Sequence, residues 1–417
     1  MTAVKAERGW LFLLLLACLY FAQGLPFGLL AKALPALARE AGMDRALIGL
    51  LALPAAPWAL KFLWAPWVDR LGAGRHWHRK RWILVCQLLA AALLVVVASL
   101  DETRLLGDQW WLLLLLLTLL NTVCATQDIA TDGLAARHLP LALRGLGNSM
   151  QVTGYKLGLI LGGASILMWV SSLGWQMTLC VAAGLLVLLL LPLLCWREPV
   201  AEPETSPNRR QGWHWWLSGL TSLLRRPGMG IWLLVLMGYR TGEDFGAHMI
   251  KPWLVDRGWS LAAIGRLELV TGIVSLASAF ACGFLLRLLP RQPLLLTFAC
   301  LQVLVLMAWV WLAATSAEAG SVWLASLVQQ AVAGMAAVVL MTLMMDRCRP
   351  GSEGSDFTLQ ASVQLAVTGS FVLLSGVSAD WLGYAGHFFL AALLALAVIL
   401  PILKLPTVFD RPDHAQH

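Results

Sequence analysis

Ionisable side chains interrupt the long apolar runs of this 417-residue sequence. If those runs cross a bilayer, each ionisable group inside them costs at least about 2.5 kcal/mol, and more without a partner. Such costly positions are the first candidates for binding a polar molecule or for carrying a proton. They are Lys32, Lys61, Lys156, Arg240, Arg266, Asp128, Asp132, Glu243, Asp244 and Glu268.

One of these runs places several polar residues on a single helical face. Asn121, Cys124, Asp128 and Asp132 stand at offsets of zero, three, seven and eleven, which align along an α-helix. That face must point away from lipid, and it allows an ion pair between Asp128 and Lys156 of the following run. The pair could have a functional role or could only hold two helices together.

A later apolar run carries the highest density of charge. Arg240 precedes Glu243 and Asp244 by three and four residues, so it can pair with both within one helix. Arg266 and Glu268 of the next run stand at a similar depth, which predicts one charged cluster. Its arginines could bind an anionic solute, or its acids could take up and release a proton during transport. The sequence leaves both roles open.

Glycine and proline positions predict where helices pack closely or bend. Gly238, Gly242 and Gly246 repeat at four-residue spacing, a pattern that permits close helix approach or local unwinding. Pro26 removes a backbone donor near the middle of the first run and predicts a bend there.

Neutral polar and aromatic side chains at mid-depth complete a candidate cavity. We expect binding or cavity-lining roles for Gln23, Gln127, Gln151, Tyr155, Lys156, Tyr239, Arg240, Arg266 and Gln330. The candidates for proton coupling are Asp128, Glu243 and Asp244. Lys32 and Lys61 are expected instead to extend their ammonium groups toward a membrane surface.

The elements that must position these residues are membrane-spanning helices. Hydrophobic residues make up 59% of the sequence and charged residues 13%, against roughly 25% charged in soluble domains. Apolar runs of about 20 residues match the hydrocarbon thickness of a bilayer. We predict an all-α integral membrane protein with twelve spans, near 11–35, 46–66, 82–100, 109–132, 148–170, 175–195, 229–250, 261–286, 293–314, 319–344, 358–378 and 384–404.

Basic residues predict the orientation of these spans. With both termini in the cytoplasm, the inside connectors hold twenty Lys and Arg residues and the outside connectors hold five. The positive-inside rule favours this arrangement. The longest polar connector, 197–228, is rich in proline and predicts a linker between two six-helix bundles, 1–196 and 229–417.

Other function classes find little support in the sequence. The net charge of +7 arises in short connectors, so we expect no nucleic-acid partner. The eight cysteines are dispersed without a CxxC pair, and we expect no metal site and no cofactor. A membrane-embedded enzyme such as a transferase is a remote alternative, since the sequence has neither a GxSxG elbow nor a P-loop.

A connector motif points to a family. Between spans two and three the chain reads Trp-Val-Asp-Arg-Leu-Gly-Ala-Gly-Arg, which includes Asp69, Arg70, Gly72 and Arg75. This stretch resembles the major facilitator inter-helix signature G-x-x-x-D-R-x-G-R-R, with Ala65 in place of the leading glycine. The resemblance implies that Asp69 caps a neighbouring helix N-terminus and that Arg70 ties the two halves together.

Three further stretches resemble one branch of that superfamily. They run over 20–28, 61–70 and 125–133. The branch holds the muropeptide permeases of the AmpG type, acetyl-CoA transporter relatives, and the siderophore permeases of the rhizobactin and pyochelin type. The run that begins at Asp132, the run from Arg144 to Asn148, and the compact length resemble the siderophore permeases most.

The resemblance implies a bacterial inner-membrane permease. We expect it to import a pyochelin-like siderophore, as its ferric complex, by alternating access. Aromatic residues such as Tyr155, Tyr239 and Phe245 would suit a small chelate. The alternative cargo is a muropeptide, which would need more neutral hydrogen-bonding groups. The expected partners are the small-molecule substrate and the lipid bilayer, with the chain acting as a monomer driven by protons.

Overall fold

The helical character expected from the sequence extends over the whole computed structural model, which describes residues 3–43, 50–51, 53–72, 77–196, 198, 221–222, 224–315 and 318–405. Over these residues the chain forms α-helices joined by 3-10 and π turns, with no strand. Most of the predicted linker 197–228, together with the signature residue Arg75, lies outside the described residues.

The helices are numbered in chain order over the described residues. The first half contains α1 (Ala3–Gly28), α2 (Leu34–Glu40), α3 (Ala56–Leu60), α4 (Ala65–Arg70), α5 (His78–Ser99), α6 (Glu102–Leu106), α7 (Trp110–His138), α8 (Leu141–Ile160), α9 (Ile166–Leu188) and α10 (Leu191–Cys195). The second half contains α11 (Met229–Tyr239), α12 (Thr241–His248), α13 (Ile250–Asp256), α14 (Leu261–Leu288), α15 (Arg291–Ala314), α16 (Ala319–Asp346), α17 (Glu353–Ala397) and α18 (Ile399–Leu403).

The chain divides into two compact units. Unit 1 comprises Met1–Leu141, Met150–Asn208 and Cys348–Leu359, and unit 2 comprises Ala142–Ser149, Arg209–Arg347 and Gln360–His417. Each unit therefore takes in a short segment from the other half of the sequence. The start of α17 belongs to unit 1, and the first turns of α8 belong to unit 2.

Apolar helices make this a multi-pass membrane protein. Within the described residues, eight stretches are long and apolar enough to cross a bilayer: Gly9–Glu40, His78–Ser99, Trp110–His138, Leu141–Cys195, Ala262–Leu288, Arg291–Ala314, Ala319–Asp346 and Glu353–Leu403. Large apolar side chains stand exposed on them, including Trp381 at 85% and Leu373 at 84%. Surface of this kind requires lipid rather than water.

Glycines interrupt the two longest of these stretches. Gly174 has a φ of 79° and Gly383 a φ of 68°, a backbone conformation that favours glycine. Each long stretch is therefore a pair of helices joined at a glycine. The two breaks fall at the predicted boundaries between spans five and six and between spans eleven and twelve.

The second predicted span, 46–66, is not a continuous helix. Its described part forms two 3-10 turns and two short helices, α3 and α4. Pro54, Pro57 and Pro66 explain the breaks, because each proline lacks an N–H donor and its ring clashes with the preceding turn. The hydropathy of the run gave no sign of this interruption.

The predicted span 229–250 is also divided. It forms α11, α12 and α13, with Arg240 and Met249 at the junctions. The glycine repeat in this span serves close packing as well, since a Cβ on Gly242 would lie 2.6 Å from the carbonyl oxygen of Ala391. Local unwinding and close approach therefore occur in the same segment.

Glycines also bring α1 and α8 together. A Cβ on Gly24 would collide with the carbonyl oxygen of Tyr155, and a Cβ on Gly158 would collide with the carbonyl oxygen of Phe21. Both helices continue into π turns, which pack against each other. The irregularity expected at Pro26 therefore lies in the turn that follows it.

Candidate functional site

Five polar side chains meet inside unit 1 and form what we call the Lys61 cluster, namely Tyr20, Lys61, Asp128, Asp132 and Gln151. The Nζ of Lys61 donates to Oδ2 of Asp128 and lies 4.0 Å from Oδ2 of Asp132. Oδ1 of Asp132 accepts hydrogen bonds from the Tyr20 hydroxyl at 2.7 Å and from Nε2 of Gln151 at 3.3 Å. All five residues are buried, with exposures between 1% and 7%.

Four separate segments position the Lys61 cluster. Helix α7 carries Asp128 and Asp132 one turn apart on the face predicted from their spacing. Tyr20 comes from α1, Gln151 from α8, and Lys61 from the 3-10 turn between α3 and α4. The cluster therefore depends on the packing of most of unit 1.

Asp128 has an ion-pair partner that was not predicted, Lys61. The pair expected between Asp128 and Lys156 stays a prediction, whereas the expected position of Lys61 is wrong. Lys61 is 5% exposed and does not extend to a membrane surface. The physical reason is the break in the second predicted span, which places Lys61 in a tight turn facing α7.

The same unit also contains buried amide atoms that make no hydrogen bond within the described part of the chain. Within the described part of the chain, Nε2 of Gln23 and Oε1 of Gln151 are buried and have no hydrogen-bond partner. Gln23 is 1% exposed, and Gln151 already donates to Asp132 through its other amide atom. A buried amide that lacks a partner costs free energy, so these two atoms suit a polar molecule that could complete them.

Aromatic rings stand beside the Lys61 cluster. The ring of Phe27 lies 5.8 Å from that of Trp58 and 6.2 Å from that of Tyr155, between centroids. Nζ of Lys61 lies 5.6 Å from the Trp58 ring, and the indole N–H of Trp58 donates to Asn121 at 2.9 Å. These three rings are only partly buried, so unit 1 combines apolar ring faces with hydrogen-bonding groups.

The remaining predicted residues of unit 1 have different positions. Gln127 is 2% exposed and donates to Oε1 of Gln87 at 2.8 Å, so it belongs to the packed interior between α5 and α7. Lys156 is partly buried and follows Tyr155 on α8. The cavity-lining role predicted for Gln127 therefore finds no support in its packed position.

Unit 2 contains a second charged group, which we call the Arg240 group, formed by Arg240, Glu243 and Asp244. As the spacing predicts, the guanidinium lies 3.0 Å from Glu243 and 2.6 Å from Asp244. It also donates to the carbonyl oxygen of Ala333 on α16 at 3.1 Å. The side chain of Asp244 is 29% exposed, so this group is more open than the Lys61 cluster.

The larger cluster predicted around the Arg240 group does not form. Glu268 pairs instead with Lys251, and both side chains are about half exposed, at 52% and 53%. Arg266 is exposed on α14. Because α14 presents these side chains outward, similar depth along two helices was not sufficient to bring their charges together.

Two further predicted residues of unit 2 differ in burial. Tyr239 is fully buried and its hydroxyl donates to the carbonyl oxygen of Leu295 at 3.3 Å, which is a packing position. Gln330 is partly buried on α16. Its neighbour Gln329 accepts from the indole of Trp309 at 2.7 Å, and within the described residues Nε2 of Gln329 has no partner.

The signature aspartate lies where the family resemblance places it. Oδ2 of Asp69 accepts hydrogen bonds from the backbone N–H of Ser355 at 2.7 Å and from its hydroxyl at 2.6 Å. Ser355 is in the first turn of α17, whose free N–H groups and dipole favour a carboxylate. Asp69 therefore caps α17.

Two charged residues at this site, Arg79 and Glu353, were not predicted, and Arg79 pairs with both Asp69 and Glu353. Arg79 lies 3.2 Å from Asp69 and 2.7 Å from Glu353. Gly133 on α7 makes room for it, since a Cβ there would overlap the Arg79 guanidinium. Arg79 had been counted only as a residue that fixes orientation, and Glu353 lay in an unremarkable polar connector.

The other described signature residues fit a tight connector. Gly72 has a φ of 98°, which a larger side chain rarely adopts. Arg70 ends α4, and partial burial lowers its pKa from the ordinary value. A guanidinium keeps its charge despite such a shift, so Arg70 remains a cation.

Unit 2 has an acidic site of its own at the end of α16. Asp346 accepts from Nη1 of Arg144 at 2.9 Å and also pairs with Arg291. Arg144 lies in the first turns of α8, which belong to unit 2. These two pairs were not predicted, because Arg144 and Arg291 are both distant in the chain from Asp346.

A metal centre is not evident in the described part of the protein. No group of three or more His, Cys, Asp or Glu side chains there could hold a metal ion. The eight cysteines are free thiols. The described chemistry is therefore that of hydrogen bonds, ion pairs and aromatic faces.

Comparison with known proteins shows the family of this chain. The sequence profile of the Major Facilitator Superfamily matches residues 16–372. The anhydromuropeptide permease of Escherichia coli K12 is 27% identical over 379 residues, covering 88% of this chain and 76% of that protein. The putative transporter AmpG 4 of Rickettsia conorii is 22% identical, covering 92% of this chain and 94% of that protein.

Solved structures show the same fold. The human organic anion transporter MFSD10 superposes with a TM-score of 0.72 at 17% identity, covering 95% of this chain and 99% of that one. The transporter FucP, in an outward conformation, superposes with a TM-score of 0.71 at 15% identity, covering 94% and 98%.

These findings support the AmpG branch and give no support to a closer relation with the siderophore permeases. They also exclude the enzyme alternative, because the matching family is one of transporters. The chain is therefore a membrane transporter that belongs to the Major Facilitator Superfamily.

Proposed function

We propose that this transporter imports sugar–peptide fragments of the cell wall, of the anhydromuropeptide class, across a bacterial inner membrane. The observation that carries the proposal is that unit 1 contains two buried amide atoms without a hydrogen-bond partner among the described residues, on Gln23 and Gln151, and also presents partly buried aromatic rings. The Escherichia coli relative, which matches most of this chain, is named for that cargo.

The chemistry of such a cargo matches these groups. Sugar hydroxyls and peptide groups both donate and accept hydrogen bonds, so they can complete the donor on Gln23 and the acceptor on Gln151. The flat apolar face of a sugar ring packs well on aromatic side chains such as Trp58 and Tyr155. A compact ferric chelate, the first cargo suggested by the sequence, has less use for open neutral amides.

Unit 2 contains polar groups of its own that suit hydrogen bonding to a solute. Within the described residues, Nε2 of Gln302 and Nε2 of Gln329 are also buried and have no hydrogen-bond partner. An anionic group of the cargo could compete with the partly exposed Asp244 for Arg240. We therefore retain Arg240 as a proposed contact for a carboxylate of the cargo.

The topology proposed for this function keeps twelve spans with both termini in the cytoplasm. The glycine breaks at 174 and 383 and the divided segments near 46–66 and 229–250 support that number. We also retain bundles at 1–196 and 229–417 joined by the linker 197–228, and a monomer as the working unit. Alternating access then requires the contacts of Asp69 and Arg79 with the start of α17 to break and re-form in each cycle.

Uptake by whole cells tests the proposed cargo. A strain lacking its own muropeptide permease, and expressing this chain, should accumulate labelled anhydromuropeptide well above the level in a strain carrying an empty vector. The double variant Gln23→Ala, Gln151→Ala should lose most of that uptake at equal protein in the membrane. Accumulation of ferric pyochelin without accumulation of anhydromuropeptide would refute the proposal.

A further inference from the structure

Trp58 lies on a segment whose backbone is only briefly helical. It belongs to α3, a five-residue helix between the 3-10 turns Leu53–Ala55 and Lys61–Leu63. Pro54 and Pro57 remove backbone donors from this stretch. A backbone with so few helical hydrogen bonds does little to hold the indole, so its orientation depends on what the side chain contacts.

Asn121 of α7 fixes that orientation. Oδ1 of Asn121 accepts a hydrogen bond from the indole N–H of Trp58 at 2.9 Å, and its Nδ2 donates to the carbonyl oxygen of Leu117 at 2.8 Å. An indole N–H can only donate and a carbonyl oxygen can only accept, so both neighbours require the same orientation of the amide. Asn121 is 1% exposed, which keeps water from competing for these bonds.

Trp58 is partly exposed, and its side chain points away from the lipid-facing side of the segment. The exposed side chains of 53–67 recur every three or four residues and define one face, formed by Leu53, Ala56, Leu60, Leu63 and Trp67. Lipid covers an exposed apolar face of this kind. Trp58 stands two residues before Leu60, which places it on the opposite face. The open part of its ring therefore lies on the polar side of the segment, with Asn121 and Lys61.

The surroundings of Trp58 leave ring surface for a bound molecule. Nζ of Lys61 lies 5.6 Å from the ring centroid of Trp58, and the ring of Phe27 lies 5.8 Å away at an angle of 79°. Since the N–H of Trp58 is already bonded to Asn121, what remains for a bound molecule is apolar ring surface with an electron-rich face. The C–H groups on one face of a sugar ring match such a surface.

We propose that Trp58 stacks against a sugar ring of the cargo and that Asn121 is a positioning residue, which holds the indole at the angle that stacking requires. Asn121 is buried and acts on the cargo through Trp58. The identity of the cargo rests on the proposed function, whereas the stacking of a sugar ring on Trp58 does not.

Trp64 provides a matched control on the same segment. Its indole N–H donates to Oγ1 of Thr126, also on α7, at 3.0 Å. Trp64 stands four residues after Leu60 and therefore lies beside the lipid-facing side. Thr126→Val and Asn121→Leu each remove the acceptor of one indole N–H, so they should lower the melting temperature similarly. Only Asn121→Leu releases the ring that we assign to the cargo.

Transport kinetics in liposomes separate positioning from packing. Asn121→Leu should raise the KM for labelled anhydromuropeptide about fivefold, which corresponds to one hydrogen bond, and should keep the maximal rate within about twofold of the wild type. Thr126→Val should keep the wild-type KM. An unchanged KM in Asn121→Leu, or an equal rise in Thr126→Val, would overturn the proposal.

A Trp58→Phe background tests whether Asn121 acts through Trp58. Phenylalanine keeps a flat ring but has no N–H for Asn121 to hold. Adding Asn121→Leu to Trp58→Phe should therefore change the KM by less than about twofold. A full further rise of about fivefold in this background would show that Asn121 acts by another route, and the positioning role would be refuted.

Fluorine NMR tests the stacking without transport. In protein labelled with fluorotryptophan and held in detergent, the resonances of Trp58 and Trp64 are those that disappear in Trp58→Phe and Trp64→Phe. N-acetylglucosamine, used as the probe for a sugar ring, should shift the Trp58 resonance and leave that of Trp64 in place. In Asn121→Leu the same shift should require about fivefold more sugar.

The outcomes of the NMR experiment separate this proposal from the proposed function. A Trp58 resonance that moves with neither N-acetylglucosamine nor anhydromuropeptide contradicts the stacking. If the wild type takes up no anhydromuropeptide while its Trp58 resonance still moves with N-acetylglucosamine, the proposed cargo is wrong and the stacking on Trp58 is supported.

Discussion

Single residues in this protein show how a charged side chain is stabilised inside an apolar helical bundle. The face formed by Asp128 and Asp132 was predictable from helical spacing alone, because both residues lie on one continuous helix. Their partner Lys61 was not, because it is 67 positions away from Asp128 and sits in a turn that proline creates. Pairing across distant segments depends on tertiary packing, which a single sequence does not reveal.

The contributions of Lys61 and Asp128 to the free energy of unfolding should be strongly coupled. Removing the cation with Lys61→Met leaves two carboxylates without their base, and we expect a loss of about 3–5 kcal/mol in the free energy of unfolding. Asp128→Asn in the same chain should restore part of that loss. Denaturant unfolding of the wild type, both single variants and the double variant in detergent measures the coupling. Strictly additive losses would show that the two side chains do not act as a pair.

The site around the signature residue Asp69 was also only partly predictable from the sequence. The position of Asp69 at a helix N-terminus followed from family resemblance and is observed. Arg79 and Glu353 were missed, although Arg79 stands only a few residues from the signature. Its place within a run of basic residues concealed it, because such runs usually only fix membrane orientation.

At the scale of elements, helix boundaries in uninterrupted runs were predicted closely. The span predicted over 293–314 is the helix Arg291–Ala314, and the span predicted over 319–344 is Ala319–Asp346. The run near 46–66 failed because mean hydropathy does not register where three prolines remove backbone donors. Composition thus locates a span, whereas the backbone chemistry of individual residues decides its continuity.

The close contact of α1 and α8 should tolerate no added methyl group at the crossing. A Cβ on Gly158 would collide with the Phe21 backbone, so Gly158→Ala should cost about 1–3 kcal/mol through overpacking. Gly184 on α9 has open space, and Gly184→Ala should be neutral or stabilising by about 0.5–1 kcal/mol. Unfolding midpoints in detergent compare the two. Equal effects at both glycines would contradict the packing described for α1 and α8.

The cap on α17 should stabilise the first turn of that helix. Asp69→Ala removes the acceptor for the Ser355 N–H, and loss of such a cap costs about 0.5–2 kcal/mol. Amide hydrogen exchange should accelerate in residues 353–358 and remain unchanged in the second half of α17. Asp101→Ala, which removes the exposed cap of α6, is the control and should leave α17 unaffected. Unchanged exchange in Asp69→Ala would show that this cap does not hold the helix.

At the scale of the whole molecule, composition and hydropathy were enough to predict a polytopic helical membrane protein, and the resemblance of the connector motif to a family signature added the prediction of a transporter. The cargo was not predictable in the same way, because the runs that suggested a siderophore permease are short pieces of a scaffold shared by several transporters. A fold can host many cargoes, and specificity depends on a few side chains whose environment the sequence does not show. Gln23 and Gln151 drew attention only as polar residues, and their open atoms emerged from the packing.

The proposed orientation can be mapped with thiol reagents that do not cross the membrane. In a variant without its eight native cysteines, Thr103→Cys lies in a connector predicted to face outward, and Leu289→Cys lies in one predicted to face the cytoplasm. Both positions are exposed. The first should react in intact cells and the second only after permeabilisation. Reaction of both in intact cells would contradict the predicted topology.

Exchange by the purified protein in liposomes tests most directly the proposal that this chain moves an anhydromuropeptide. Vesicles preloaded with unlabelled anhydromuropeptide should take up labelled anhydromuropeptide transiently above its equilibrium level, and an excess of ferric pyochelin outside should not compete. Exchange no faster than in protein-free vesicles, from protein shown to be folded by its melting transition, would contradict the account.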